Sequence, residues 1–378
     1  MTFFRHFIER KDFKTLVVTN SQHLKDYNLP YTPIHFSTQA WLNRLSKTRF
    51  LPWIYGFQCL YGKHLLPTKI IQASERFCPE AVFTVAGSWD WTALAAQRIA
   101  RYLKVPLIAS FNDWFDYGWF PAHNHFRQPI EARFRRFYQE ADLALCTSEG
   151  MRDALGPHPN VHVLYPTGAT MLEDENTHWP IPDSEKKPFT VFFGGNLGDW
   201  YGPMIESVIT QGQQIDSAVR FQIFGIGPSW SQSFEQWAKA SGVFAGQVPF
   251  EQLRQEARKA DLLLLPMGFD QVCAQIERTS FKTKFLDYLS FQRPILVWGP
   301  EYCSAVRKAR EFDSAECVTL ADPTACIAAI QRLAANPNRR SQLIANARHM
   351  YEARFHPDII HTGLVRKIRE IIKIHQAA

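Results

Sequence analysis

Two hydroxyls, an ammonium and a carboxylate fall close together at Ser280, Thr283, Lys284 and Asp287, in the stretch ERTSFKTKFLDYLSFQRPILVWGP from Glu277 to Pro300. The start of a helix presents free N–H groups and a partial positive charge, so hydroxyls and an ammonium placed there suit a phosphate. One turn further on, a carboxylate can accept hydrogen bonds from a vicinal diol such as a ribose. Phe281, Phe285, Tyr288 and Leu289 recur at i, i+4, i+7 and i+8 and make an apolar stripe, while Lys284 and Asp287 lie three apart on another face. The stripe belongs to a core, and the polar pair is left for a ligand. The same residues also fit an ordinary capped helix with a Lys–Asp surface pair.

The pattern predicts a loop holding Ser280, Thr283 and Lys284, a short helix carrying Asp287, and a buried strand over 294–298. Upstream, a regular alternation predicts strands at 81–85, 106–110, 143–147 and 161–164, with helices at 91–103, 131–140 and 149–155 between them. A helical end is predicted over 3–11 and a strand over 14–19. The alternation resumes with strands at 190–194, 220–224 and 262–265 and helices at 203–210, 233–241 and 250–260. Four more helices are predicted at 302–310, 323–335, 339–352 and 357–374. Strands separated by helices imply right-handed crossovers and parallel sheets. Two doubly wound α/β halves follow, with a cleft between them, and ligands in such sheets sit beyond the carboxyl ends of the strands. The stretch LEDENTHWPIPDSEKKP at 172–188, rich in acids and prolines, is the natural linker.

Two further strand ends carry ligand-type loops. GGNLGDWYG, from Gly194 to Gly202, has four glycines that would allow close approach to the backbone, with Gly195 and Asn196 first in line. FGIGPSW, from Phe224 to Trp230, contributes Gly225 and Gly227. A lone GxG is weak evidence by itself. Three such loops on strands of one half point to a nucleotide.

Composition narrows the class. No stretch approaches the ~18–20 apolar residues of a membrane span, and MTFFRHFIERK is too charged for a secretory signal. Seven scattered cysteines without a CxxC pair suggest neither a disulfide framework nor a zinc site, so a reducing cytoplasm is the simplest location. The net charge of +6 suits an anionic ligand or membrane surface.

The order of motifs now resembles a known family. GNLG after a strand, GxG after the next, ADLLLLP and then SFKTKFLDYLSFQRPIL resemble the C-terminal half of GT-B glycosyltransferases of the family 4 type. VPLIASFNDWFD and ADLALCTSEGMRDAL resemble the acceptor-side half. The resemblance covers about residues 80–355. It implies a sugar moved from a nucleotide diphosphate sugar, of the UDP or GDP type, to a glycan or lipid-linked acceptor, with retention and without an essential metal or other cofactor. It divides the chain into an acceptor-side Rossmann-like domain at 1–180, a nucleotide-sugar domain at 188–355 facing it across a cleft, and a terminal helix at 356–378 returning to the first domain. Asp287 stands at the family's ribose-binding glutamate, and Ser280 at the first member of its glutamate pair. Thr283 and Lys284 would hold the diphosphate, Gly195 and Asn196 would lie on its other side, and backbone around Phe244–Val248 would face the base. Asp113 occupies the cleft position near the reacting sugar, and Glu149 would face the same cleft.

Departures from the family are also legible. Lys282 replaces a proline and Gln292 a helix-ending glycine, while Asp199, Trp200 and Tyr201 stand where many members have an arginine and a lysine. The family's first strand and glycine-rich loop are not seen ahead of residue 14, so the acceptor side is expected to lie upstream or to be built otherwise.

Each acceptor-side residue has a plainer reading. Asp113 could cap a turn, Glu149 could serve the dipole of its own helix, and His123 and His125 lack a third ligand for a metal. The aromatic and basic run Trp41–Lys69, with Arg127, Arg133, Arg135 and Arg136, could rest on an anionic membrane or form a solvated face over a core. The reading is a cytoplasmic glycosyltransferase, with peripheral attachment at the inner membrane face as a variant and no nucleic-acid partner. A nucleotide-sugar epimerase of the same fold and a nucleotide-binding scaffold without transfer are the alternatives.

Overall fold

The computed structural model describes residues 3–377 apart from 4, 20–32, 36–43, 45–46, 88, 90, 117–119, 172–187, 199 and 216–217. The linker stretch at 172–188 therefore lies outside the described residues except for Pro188, and so do Trp41 and Asp199. The chain divides into two compact units, one of residues 1–166 with 361–378, the other of residues 167–360.

In the first unit, β1 (Val18–Thr19) and β2 (Ile34–His35) form a short parallel pair. The strand predicted over 14–19 is thus only two residues long, and the predicted helical end at 3–11 is a π-helical turn at Arg5–Glu9. The main sheet contains β3 (Val82–Val85), β4 (Leu107–Phe111), β5 (Leu143–Cys146) and β6 (Val161–Val163), all parallel and adjacent in chain order. Its helices are α1 (Leu51–Tyr61), α2 (Thr68–Phe77), α3 (Trp91–Leu103), α4 (Arg127–Gln139) and α5 (Glu149–Leu155). β4 and β5 are buried throughout, as strands covered on both faces must be. An aromatic core of Trp89, Phe111, Trp114, Phe134, Phe137 and Tyr138 packs largely edge to face.

The second unit holds β7 (Phe189–Asn196), β8 (Val219–Ile226), β9 (Leu262–Pro266), β10 (Ile295–Trp298) and β11 (Glu316–Val318), in the order β11-β10-β9-β7-β8 and all parallel. Between and after them run α6 (Gly202–Ile215), α7 (Gln232–Ala240), α8 (Phe250–Lys259), α9 (Gln271–Thr279), α10 (Thr283–Ser290), α11 (Ser304–Phe312), α12 (Pro323–Ala334) and α13 (Pro337–Met350). β11 and α9 escape the sequence pattern, β11 because it is only three residues long and α9 because its buried face carries a glutamate. Phe281, Phe285, Tyr288 and Leu289 are buried together, as their spacing requires. Thr283 and Lys284 belong to the first turn of α10 rather than to the loop before it. α10 ends on Gln292 at φ +56, the left-handed position that glycine fills more cheaply.

The last helix, α14 (Pro357–Ala377), belongs to the first unit from His361 onward. There the His361 Nε2 meets Asp12 at 2.7 Å, its Nδ1 meets His6 at 3.1 Å, and His375 reaches the Lys104 carbonyl at 3.1 Å. All seven cysteines are free thiols.

Candidate functional site

In the second unit the direction of strand addition reverses at β7: β8 lies on one side of it, and β9, β10 and β11 are added in turn on the other. At such a switch point the loops leaving two neighbouring strands turn to opposite faces of the sheet, and a crevice opens outside their carboxyl ends. β7 and β9 pair only at Val191–Leu262 and Phe192–Leu263. Beyond them the Gly194 N–H donates to the Tyr288 hydroxyl at 3.0 Å.

Lys284 enters this crevice from the first turn of α10. Its ammonium lies 4.0 Å from the centre of the Phe193 ring and 5.6 Å from that of Tyr201. A Cβ at Gly195, where φ is +147, would overlap that ammonium. Burial, with Lys282 adding repulsion and Asp287 opposing, pushes the amine down to about 7. A half-buried amine held against two rings is poised for an anionic ligand that stabilises its charge. The N-terminus of α10 points the same way, since its N-cap, Lys282, makes no side-chain cap bond to the first-turn N–H groups.

Glu277, to which sequence reasoning gave no role, lies beneath. Its side chain is 0% exposed, and its Oε1 accepts from the Tyr201 hydroxyl at 3.0 Å and from the Gly268 N–H at 3.2 Å. Its Oε2 makes no hydrogen bond and lies 3.4 Å from the Lys282 ammonium. One carboxylate thus joins the loop after β7, the loop after β9 and the entry to α10. The available signal was periodicity, because Cys273, Ile276 and Glu277 share the buried face of α9 and a carboxylate there must have partners.

The other predicted residues distribute as follows. Asp287, one turn into α10, is half-buried, and its Oδ1 accepts from the Ala169 N–H at 2.8 Å. Ser280 is buried at the end of α9, and Thr283 is exposed at the first position of α10. Asn196 turns its own loop, accepting the Gly198 N–H at 3.0 Å. Of the glycines in the first loop, Gly194 makes room for Leu253, Gly195 for Lys284 and Gly202 for the Leu197 carbonyl. Gly225 faces Gly195 across the ladder and has no room for a Cβ beside its carbonyl, while Gly227 turns at φ +59. Backbone at 243–246 pairs along β8, with Ala245 N–H on the Ile223 carbonyl at 2.9 Å and Gly225 N–H on the Gly246 carbonyl at 3.0 Å. Val248, just beyond, is half-buried.

In the first unit Asp113 and Glu149 leave adjacent strands, two residues beyond Phe111 and three beyond Cys146, which are register partners. Asp113 is half-buried, and its N–H and Oδ2 would lie 3.2 and 3.6 Å from a Cβ at Gly87. Glu149 opens α5 behind the Ser148 cap and accepts a hydrogen bond from the Tyr165 hydroxyl. His123 and His125 are exposed, and His123 stacks on Trp53. Among the described residues no group of three or more His, Cys, Asp or Glu side chains could hold a metal ion.

Two units, each built on a parallel sheet and one of them with a cationic crevice at its switch point, define a doubly wound α/β class. Comparison with known families names it. The Glycosyltransferase Family 4 model matches residues 48–168, and the Glycosyl transferase-like model matches residues 204–360. The chain belongs to the GT-B glycosyltransferases of the family 4 type. A glycosyltransferase from Rickettsia africae ESF-5 is similar with a TM-score of 0.64 at 11% identity, over 95% of this chain and 90% of that one. Anabaena HepE in complex with UDP is similar at 0.62 and 13%, over 92% and 88%. The α,α-trehalose 6-phosphate synthase of Burkholderia multivorans gives 0.59 and 11%, over 90% and 80%. These likenesses show the shared fold. A search of curated proteins found no significant match.

Proposed function

We propose that this glycosyltransferase moves a sugar from a nucleotide diphosphate sugar, of the UDP or GDP type, to a glycan or lipid-linked acceptor, with retention and without a metal or other cofactor. The reaction would belong to polysaccharide biosynthesis at the cytoplasmic side of a membrane. The observation that carries this reading is the crevice between β7 and β9, where Lys284 and the uncapped start of α10 stand together. The Anabaena protein has been crystallised with UDP and with UDP-glucose, which favours a uridine donor here.

In this reading the diphosphate lies at the N-terminus of α10, and Lys284 stabilises the charge that gathers on it as the glycosidic bond breaks. Asp287 anchors the ribose through the carboxylate whose Oδ1 also accepts the Ala169 N–H, so ribose binding and the backbone at Ala169 are linked. Ser280, Thr283, Asn196, Gly225, Gly227 and Val248 complete the donor side. With retention the departing phosphate can take the acceptor's proton, and Asp113 and Glu149 orient the acceptor rather than act as strong bases. Exclusion of water from the reacting groups protects the donor from hydrolysis.

Calorimetric titration with UDP, GDP, ADP and TDP tests the reading. One of them is expected to bind without added metal, and Asp287→Ala to weaken that binding by about tenfold or more, the worth of one lost charged hydrogen bond. Asp113→Ala is expected to keep the affinity and lose transfer. Failure of all four nucleotides to bind would remove the donor site and leave a scaffold without transfer.

A further inference from the structure

α1 is a helix with apolar side chains on both its inner and its outer face. Its inner face is buried: Gly56 sits against the Phe126 ring, and the Cys59 thiol bonds the Trp89 carbonyl. Its outer face is aromatic. Phe50 at the N-cap, Trp53, Phe57 and Tyr61 recur at i, i+3, i+7 and i+11, and they are 50%, 48%, 57% and 50% exposed. The Phe57 and Tyr61 rings meet at 4.8 Å, which makes the face continuous. No residue of α1 carries a charge. A water-facing helix ordinarily carries charged side chains on its outer side, and α4 and α8 of this protein do. Large rings exposed in a row mark a surface that something covers.

The charges around α1 indicate what covers it. Between Asp26 and Glu75 the chain has no acidic residue and five cations, Arg44, Lys47, Arg49, Lys63 and Lys69. None of the five is ion-paired among the described residues. The nearby arginines that sequence alone would add are committed elsewhere: Arg127 pairs with Asp116, Arg135 with Glu131 and Arg136 with Glu140, while Arg133 bonds Gln97. Close to α1, unpaired positive charge therefore lies on the segments that lead into and out of it. Aromatic rings on one face, flanked by uncompensated Lys and Arg, match a surface with an apolar interior beneath an anionic plane. A soluble polyanion would satisfy the cations and leave the rings in water. Among the described residues no helix is long and apolar enough to cross a membrane, so attachment through this face would be lateral.

We infer that the outer face of α1 docks the protein on an anionic phospholipid bilayer, with Trp53, Phe57 and Tyr61 entering the interface and Lys47 and Arg49 meeting lipid phosphates. This stands apart from the donor reading, because every residue it uses lies in the first unit and outside both sets of proposed site residues.

The test is co-sedimentation of the whole protein with vesicles of phosphatidylcholine alone or mixed with phosphatidylglycerol, with dextran sulfate as a competing polyanion. Binding is expected to the mixed vesicles and to be stronger than to phosphatidylcholine. Trp53→Ser with Phe57→Ser should weaken it by about tenfold or more, and Lys47→Glu with Arg49→Glu by about tenfold or more. The charge-reversal variant should leave the melting temperature unchanged, the ring variant should lower it only by the loss of the Trp53–His123 stack, and both should keep a cooperative melt and the affinity for UDP, which shows that they fold. Absence of binding to mixed vesicles overturns the inference. So does binding that survives loss of the two rings, which would leave a purely electrostatic contact of the kind dextran sulfate also makes. Vesicle binding without any nucleotide affinity would uphold the inference while removing the donor site, so the two readings fail separately.

Discussion

In the second unit strands are added on both sides of β7, whereas the four strands of the first unit's main sheet follow one another in chain order. The two sheets are alike in being parallel and buried, yet they leave different surfaces at their strand ends. Reversal at β7 opens a crevice that Tyr201 from the loop after β7, Glu277 from α9, and Lys282 and Lys284 at the start of α10 fill. Monotonic addition opens no such crevice among the described strands of the first unit. There the strand ends carry two carboxylates, Asp113 beside Gly87 and Glu149 bonded by the nearby Tyr165 hydroxyl. Topology thus assigns a prebuilt cationic cradle to one unit and an acidic, locally supported edge to the other.

The comparison breaks most easily at Glu277. If its carboxylate joins the crevice loops, Glu277→Ala leaves the Lys282 ammonium and two hydrogen-bond donors facing a void. Breaking a buried ion pair from one side costs about 3–5 kcal/mol, which urea denaturation would read directly. Glu277→Gln keeps the shape and part of the hydrogen bonding, so its loss should be smaller. A Glu277→Ala protein as stable as the parent would mean that these loops hold themselves and that the crevice owes nothing to this residue.

The first unit has a buried polar pair of its own, with the opposite dependence on charge. His361 meets Asp12 through its Nε2, and its Nδ1 lies against the Nδ1 of His6. His6 is fully buried beside His361, Arg10 and Arg5, and burial foremost pushes its imidazole down to about 4 from the ordinary 6.5. In the unfolded chain His6 takes up a proton near 6.5 and in the folded one only near 4. Folding stability is therefore complete above 6.5 and is lost as pH falls toward 4, by at most about 3 kcal/mol. Thermal melts across this range should show the loss, and His6→Phe should flatten it. Equal acid sensitivity in both proteins would locate the effect elsewhere.

Much of this was readable in the sequence, and what was not has physical causes. The alternation of strands and helices appears because buried parallel strands such as β9, Leu262–Pro266, are uninterrupted apolar runs. Lys284 and Asp287 stood out because they face away from the stripe of Phe281, Phe285, Tyr288 and Leu289. Glu277 stayed hidden because its meaning depends on Tyr201 and Gly268, far away in the chain, and no local pattern shows a long-range partner. The glycines of 194–202 were legible only in part, for a related reason. Sequence shows that space is reserved at Gly195 but not that Lys284 occupies it. In α1 the run of rings was visible, but which of them face water depended on Phe126 and Trp89 covering the other side.

Lys284 sharpens the comparison most finely, because its charge answers to the ligand. With burial holding the free amine at about 7, it is half protonated near neutrality, and a diphosphate needs the ammonium. Binding should draw in a proton and raise the amine's affinity for it. Below 7 the affinity for UDP should be nearly level on this account. Above 7 it should fall by up to about tenfold per pH unit until the proton is lost from the complex too. Lys284→Arg keeps its charge throughout, so its affinity should vary less over the same range. Calorimetry in two buffers of different ionisation enthalpy would count the proton taken up. A flat profile for the parent protein would show that the amine is already an ammonium in the free crevice, and that water reaches it between Phe193 and Tyr201.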